Sequence, residues 1–80
     1  MSGYQNLLNM VEILTTTIEI HRREEDFYRR SANTSTNEVA KSLFMEIADD
    51  LGKYSEKFEG RRQRLWEALE DLRKAEKKKQ

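Results

Sequence analysis

The chain contains no cysteine and a single histidine, and these two scarcities exclude several kinds of chemistry. Without cysteine there can be neither disulfides nor thiolate metal sites. With one histidine, a histidine-assisted nucleophile would have to be serine or threonine, and no nucleophile-elbow motif is present. No glycine-rich phosphate-binding motif occurs either. The sequence therefore offers little for covalent catalysis or nucleotide binding.

Proline is also absent, glycine occurs only three times, and there is no long hydrophobic run. A membrane span would need roughly 20 consecutive apolar residues, and the N-terminus lacks the basic-then-apolar pattern of a secretory signal. Eighty residues suffice for one small domain. We therefore predict a single all-α domain over residues 1–80, soluble and cytoplasmic, with no membrane span.

An excess of either charge sign is missing too, because 15 Lys and Arg residues balance 15 Asp and Glu residues. The distribution is nevertheless uneven. Residues 1–60 carry seven basic against eleven acidic residues, and residues 61–80 carry eight against four. The basic C-terminal end, residues 73–80, is typical of a solvated helix end whose cations complement the helix dipole. An adaptor role for the basic C-terminal helix is the alternative interpretation, although we do not expect nucleic acid as a partner.

Apolar residues recur at alternating steps of four and three in two stretches, which is the spacing of helices that pack along a straight seam. The two series are Leu7, Val11, Leu14, Ile18, His21, Glu25, Tyr28 and Ala32, then Ala40, Phe44, Ile47, Leu51, Tyr54, Phe58, Arg61 and Leu65. They predict one helix over about residues 4–32, a turn at 33–35 and a second helix over about 36–76. Ser35 and Glu38 have the spacing of a capping box for the second helix.

The two series also mesh when they are paired antiparallel around the turn. Position 32 then faces 40, position 28 faces 44 and position 21 faces 51, and every facing pair has residue numbers that sum to 72. This match predicts a long antiparallel αα-hairpin. Trp66, Leu69 and Leu72 would then continue an apolar stripe beyond the reach of the first helix.

Each helix carries further apolar residues outside this seam, and so wide a stripe needs partners on more than one side. Small domains often solve that problem by oligomerising. We therefore predict that the hairpin pairs into a four-helix bundle by homodimerisation, with the chain itself as the partner. The predicted interface residues are Ile13, Ile20, Phe27, Leu43, Trp66, Leu69 and Leu72.

Residues 18–58, IEIHRREEDFYRRSANTSTNEVAKSLFMEIADDLGKYSEKF, resemble the first helical hairpin of rubrerythrin and other ferritin-like proteins. The resemblance is carried by an aromatic pair, small residues and a polar turn at familiar intervals. The stretch is also similar to the short two-helix ferritins packaged inside encapsulin shells, which assemble a bundle by pairing hairpins. The resemblance implies a ferritin-like four-helix bundle, with an encapsulin shell as a further partner.

The resemblance also implies a di-iron site, built from a Glu of the first helix and a Glu-x-x-His of the second, each contributed twice. The matching positions here are His21, Leu51 and Tyr54. Leucine cannot bind a metal, and a neutral phenol is a poor ligand for ferrous iron. The family's iron site is therefore expected to be degenerate, with no cofactor bound.

Two interpretations of the remaining polar residues stay open. His21, Glu25 and Asp50 would be alternative ligands for zinc or iron, duplicated in a dimer. Otherwise His21 is a buried histidine that is hydrogen-bonded to Glu25 or to Tyr54 across the seam, because a buried polar group needs such a partner. The first interpretation leads to an iron-binding oxidase or encapsulin cargo with relocated ligands. The second leads to a non-catalytic, ferritin-like protein with a structural or interaction role.

Overall fold

The structure, a computed structural model, describes the backbone of residues 3–78 and the side chains of residues 3–77. Helix α1 spans Gly3–Thr34, helix α2 spans Glu38–Lys78, and the two pack antiparallel as a hairpin measuring 65 × 16 × 12 Å. The predicted all-α class with two long helices is confirmed. The turn lies at residues 35–37, where the sequence predicted 33–35, and the last residues of the basic C-terminal end, 79 and 80, lie outside the described range.

The turn shows which residue caps α2. The Asn37 side-chain Oδ1 accepts a hydrogen bond from the Ala40 N–H at 2.9 Å, so Asn37 is the N-cap residue. The predicted capping box of Ser35 and Glu38 is therefore wrong. Ser35 instead closes the turn, because its Oγ accepts a hydrogen bond from the Asn37 N–H at 3.3 Å. Asparagine and serine compete for this role in the sequence, and the local backbone path decides between them.

The α1 side of the seam agrees with the sequence pattern. Val11, Ile18 and Ala32 are buried, and the other five members of the first series are half-buried. The repeating steps of four and three place all eight residues along one line of the helix that faces α2. Helix α1 thus packs on α2 through the residues that its periodicity predicted.

The α2 side of the seam is displaced by one residue at alternate positions. Ala48 and Ser55 are buried, whereas their predicted counterparts Ile47 and Tyr54 are 39% and 52% exposed. Arg61, a further member of the predicted series, is exposed as well. The predicted second series is wrong at these positions. Small side chains occupy the line where the two helices approach most closely, and the larger apolar side chains lie on the flank beside it. A pattern that weighs hydrophobicity alone selects the larger residues.

Close to the turn the predicted pairing of positions 28 and 44 is confirmed, because the Tyr28 and Phe44 ring centroids lie 6.1 Å apart. Farther from the turn α2 lies further along α1 than predicted, since the His21 ring lies beside Phe58 and Tyr54, with ring centroids 5.6 and 6.3 Å apart. Trp66 lines a shallow surface groove with Leu8. The expectation that Trp66 and Leu69 lie beyond the reach of α1 is therefore wrong. Leu69 is only 4% exposed.

Helix α2 is continuous through both of its internal glycines. At Gly52 an added Cβ would lie 3.2 Å from the Glu25 carboxylate, so the glycine admits a close approach by α1. At Gly60 an added Cβ would meet nothing within 4 Å. Neither helix of residues 3–78 has the length and apolarity required to cross a bilayer.

Candidate interaction surface

One side of the hairpin is covered by polar contacts between the helices. Arg22 of α1 forms an ion pair with Glu59 of α2, and an Arg62 Nη1–H donates a hydrogen bond to the Thr15 Oγ1 at 3.1 Å. We call the surface defined by these four residues the paired face. Each of these contacts bridges α1 and α2, so the polar groups of this face are satisfied within the chain.

Helix α1 carries a second polar link close to the turn. Arg29 donates hydrogen bonds to Glu25 at 3.1 and 2.7 Å and reaches Asp49 of α2 at 3.3 Å. The hydrogen bond with Glu25 raises the pKa of Arg29 further, so this guanidinium remains charged at any accessible pH. The Glu25 carboxylate therefore accepts its hydrogen bonds from Arg29.

The opposite side of the hairpin exposes large apolar side chains. At roughly 100° per residue, these residues lie on the same flank of their helices, turned away from the paired face. In each helix, viewed from its N-terminus, this flank lies on the same rotational side of the seam. Because the helices are antiparallel, the two flanks then lie on one side of the hairpin. We call this surface the open face, and its apolar residues are Met10, Ile13, Ile20, Phe27, Leu43, Ile47 and Tyr54.

Exposure on the open face is large for side chains of this kind. Ile13 is 64% exposed, Phe27 56%, Leu43 52% and Met10 50%. Single exposed apolar residues are ordinary, but a row of them on one side of a slender molecule indicates a contact surface.

A shallow groove of about 470 Å³ runs along the open face at the end away from the turn. Its floor is apolar, and two arginines stand at its edge. The Arg61 guanidinium lies 5.5 Å from the Phe58 ring centroid, and the Lys57 ammonium lies 5.9 Å from that of Tyr54. The groove is lined by Met10, Leu14, Phe58, Arg61, Arg64 and Leu65. Its chemistry fits an apolar side chain with a carboxylate beside it.

The shape of the hairpin leaves much of its surface in water. Its accessible area is 6265 Å², whereas a compact monomer of the same mass would expose about 5,100 Å². Its radius of gyration is 18.4 Å, against roughly 12 Å for a compact domain of this length. The excess, about 1,200 Å² for one chain, is larger than the roughly 800 Å² that each partner buries in a standard protein–protein interface.

The seven predicted interface residues fall into three groups in the structure. Ile13, Ile20, Phe27 and Leu43 lie together on the open face. Trp66 and Leu72 are 48% and 38% exposed, but Trp66 lies beside Leu8 and Thr16 on the other side of the hairpin. The prediction that Leu69 lies at an interface is wrong, because its side chain is buried in the core of the hairpin itself.

The three positions that the resemblance matched to iron ligands, His21, Leu51 and Tyr54, have few polar contacts in the structure. His21 is half-buried, its ring stacks on Phe58, and its buried Nδ1 has no hydrogen-bond partner among the described residues. The expected hydrogen bond from His21 to Glu25 or Tyr54 is therefore wrong. Glu25 accepts from Arg29 instead, and Leu51 is half-buried in the seam.

The alternative metal ligands are not gathered by the fold of one chain. Among the described residues there is no group of three histidine, cysteine or acidic side chains placed to hold a metal ion. His21 and Glu25 follow the α1 seam, and exposed Asp50 stands on the open-face flank of α2.

The contacts of Gly52 and Ser55 with α1, and the polar contacts of the paired face, were not predicted from the sequence. Small residues that recur at steps of four and three on α2 would have indicated the close contact with α1.

The geometry defines a long antiparallel αα-hairpin with one self-satisfied face and one open face. No protein-family model, curated protein or solved structure matches the chain. The surfaces of the hairpin itself are therefore what indicate its function.

Proposed function

We propose that this chain is a non-catalytic assembly module whose open face packs on a second copy of itself, giving a four-helix bundle with a structural or interaction role. The observation that carries the proposal is the row of large exposed apolar residues along one side of both helices. A two-helix hairpin buries only one seam, so a second layer is needed to remove this row from water.

Burial of this surface would stabilise an assembly. Fully burying a leucine, isoleucine or phenylalanine side chain contributes about 1.5–3 kcal/mol. The four most exposed leucine, isoleucine and phenylalanine residues of the open face are Ile13, Ile20, Phe27 and Leu43, and each is at least 49% exposed. Their combined burial would contribute several kcal/mol, enough to offset part of the entropy lost on association.

The ferritin-like part of the proposal rests on the resemblance of residues 18–58 together with the surroundings of the altered ligand positions. In this reading the bundle keeps the scaffold, while His21, Leu51 and Tyr54 fill space where iron ligands would stand. An apolar and aromatic environment around His21 supports this reading, because two divalent cations need several carboxylates to neutralise them.

The proposal is tested by light scattering and sedimentation equilibrium on the purified chain. We expect a mass of about twice 9.6 kDa. Ile20→Glu should abolish the dimer, because a carboxylate in the apolar interface is desolvated without a partner. The matched control is Thr16→Glu, which adds the same charge at an exposed α1 position outside the open face and should leave the dimer intact.

A wild-type chain that stays monomeric at high micromolar concentration would overturn the proposal. So would an Ile20→Glu variant that dimerises as tightly as the wild type. Metal analysis of the same sample separates this function from that of an iron-binding oxidase, since stoichiometric iron that is lost in Glu25→Ala would favour the oxidase. Tight, steeply salt-dependent binding of a nucleic acid would favour the adaptor role instead.

A further inference from the structure

We propose that the two copies pack head to tail, so that α2 of one copy lies antiparallel on α2 of the other and Asp50 of each faces Arg61 of the other. This inference rests on the proposed function, namely that the open face binds a second copy. It specifies which end of one hairpin meets which end of the other, and which charged groups fix that choice.

The first observation is that charge is segregated along the open face. Acidic residues stand on the half nearer the turn, represented by Glu24 on α1 and Asp50 on α2. Basic residues stand on the other half of the stretch from residue 43 to residue 68, where α2 carries Lys57, Arg61 and Arg64, and Asp71 lies beyond that stretch. A surface that is acidic at one end and basic at the other is complementary to itself only after a half-turn that exchanges the two ends.

The second observation is that these charges have no ionic partners within the chain. All five side chains are exposed, and none of them takes part in an ion pair among residues 3–77. On the paired face, by contrast, Arg22 is matched by Glu59. Lys57 and Arg61 contact only the aromatic rings beside them. The open-face charges therefore remain available to another molecule.

The third observation is that the open-face positions of α2 follow alternating steps of four and three. Such a row can pair antiparallel with itself about several centres, and the centre between residues 55 and 56 is the one that places Asp50 opposite Arg61. In an antiparallel pairing, position 54 then faces 57, position 50 faces 61, position 47 faces 64 and position 43 faces 68. Tyr54 meets Lys57, Asp50 meets Arg61, and Leu43 meets Ala68, each pair occurring twice.

The groove described above fits this arrangement. In the head-to-tail pairing, Ile47 of the second copy arrives beside Arg64, over the apolar floor formed by Leu14 and Phe58. Asp50 of the second copy then arrives one helical turn away, beside Arg61. An apolar side chain flanked by a carboxylate is the chemistry that this groove admits.

The opposite arrangement, with like ends together, lacks these contacts. It stacks α1 of one copy on α2 of the other at the same level, and because His21 lies beside Tyr54 and Phe58, Glu24 then stands between Asp50 and Lys57. Arg61 lies against the α1 stretch of Ile13 and Thr17, and Asp50 gains no basic partner. The head-to-tail arrangement, by contrast, places opposite charges beside both Asp50 and Arg61.

The first test is a charge exchange, read out as the dimer dissociation constant from sedimentation. Asp50→Arg and Arg61→Asp should each weaken the dimer by about tenfold or more, because each change places like charges together twice. The double variant restores opposite charges at both symmetric contacts and should recover most of the wild-type affinity. Glu56→Arg, an exposed change of the same kind outside the open face, is the control and should have little effect.

The second test measures direction, and it exploits the absence of native cysteine. A nitroxide on the single variant Ser42→Cys should give a label-to-label distance of about 40 Å in a head-to-tail dimer, from the rise of 1.5 Å per residue. A distance under about 25 Å, or a double charge variant no tighter than the single ones, would overturn the head-to-tail arrangement while leaving the dimer standing. A monomeric mass with no dipolar signal would overturn the proposed function as well.

Discussion

The paired face and the open face are built from the same two helices, yet their polar groups find partners in different places. On the paired face, Arg22 and Arg62 reach across the seam to Glu59 and Thr15. On the open face, Lys57, Arg61 and Asp50 are exposed beside large apolar side chains and have no ion pair in the described part of the chain. The charged groups of the paired face therefore find partners when one chain folds, whereas those of the open face find no ionic partner among residues 3–77.

The two faces also differ in how much their side chains can contribute to the free energy of folding or association. Exposed ion pairs contribute about 0.2–1 kcal/mol each, so the paired face adds little to the stability of the hairpin. Burying one large apolar side chain of the open face contributes about 1.5–3 kcal/mol. Association through the open face is therefore expected to contribute more to stability than any rearrangement of the paired face.

The largest effect on folding should come from the seam between the faces. Ile18→Ala should lower the free energy of unfolding by about 3 kcal/mol, because Ile18 is 3% exposed and its loss leaves a cavity. Ile13→Ala on the open face removes a side chain that is 64% exposed, so it should weaken the dimer while changing the stability of the diluted monomer by under about 0.5 kcal/mol. Urea denaturation above and below the dimer dissociation constant separates the two effects. Equal losses for both variants at high dilution would contradict the assignment of Ile13 to an unpartnered surface.

A smaller effect, of opposite sign, is expected at the glycines of α2. Gly60→Ala should stabilise the hairpin by about 1 kcal/mol, since an added Cβ meets nothing within 4 Å and alanine favours the helix. Gly52→Ala should gain less or lose stability, because its Cβ would lie 3.2 Å from the Glu25 carboxylate. Thermal unfolding of the two variants side by side measures the difference. An equal gain at both sites would show that the approach of Glu25 to Gly52 is not a constraint.

The smallest effect is expected on the paired face itself. Arg22→Ala should cost no more than about 1 kcal/mol of stability, because both partners of its ion pair with Glu59 are partly exposed. It should leave the dimer dissociation constant unchanged. A double-mutant cycle with Glu59→Ala, monitored by urea unfolding, isolates the pair. Loss of the dimer in Arg22→Ala would mean that the paired face, and not the open face, carries the association.

The sequence predicted the hairpin well and its inner contacts unevenly. All eight seam positions of α1 are buried or half-buried, whereas the second apolar row of that helix, which contains Ile13 and Ile20, is exposed. On α2 two neighbouring rows satisfy the same period. One contains Ile47 and Tyr54, the other Ala48 and Ser55, and the structure buries the second. The homodimer and the ferritin-like scaffold stay predictions.

The candidate surface was half predictable for the same reason. Ile13, Ile20, Phe27 and Leu43 were assigned to an interface because they lie outside the seam, and they do share one exposed face. Leu69 was misassigned because its row on α2 was taken as the outer one. The segregation of charge along the open face was visible only after the two rows had been placed correctly.

What the amino-acid sequence determined by itself is the number of helices, their antiparallel course and the polar turn, since these follow from local periodicity and from residues that favour or end a helix. What only the tertiary structure decided is which of two adjacent rows of α2 turns inward. That choice depends on how closely the two backbones can approach, and close approach favours alanine, serine and glycine over bulkier apolar residues. It is a property of the pair of helices, and neither helix specifies it alone.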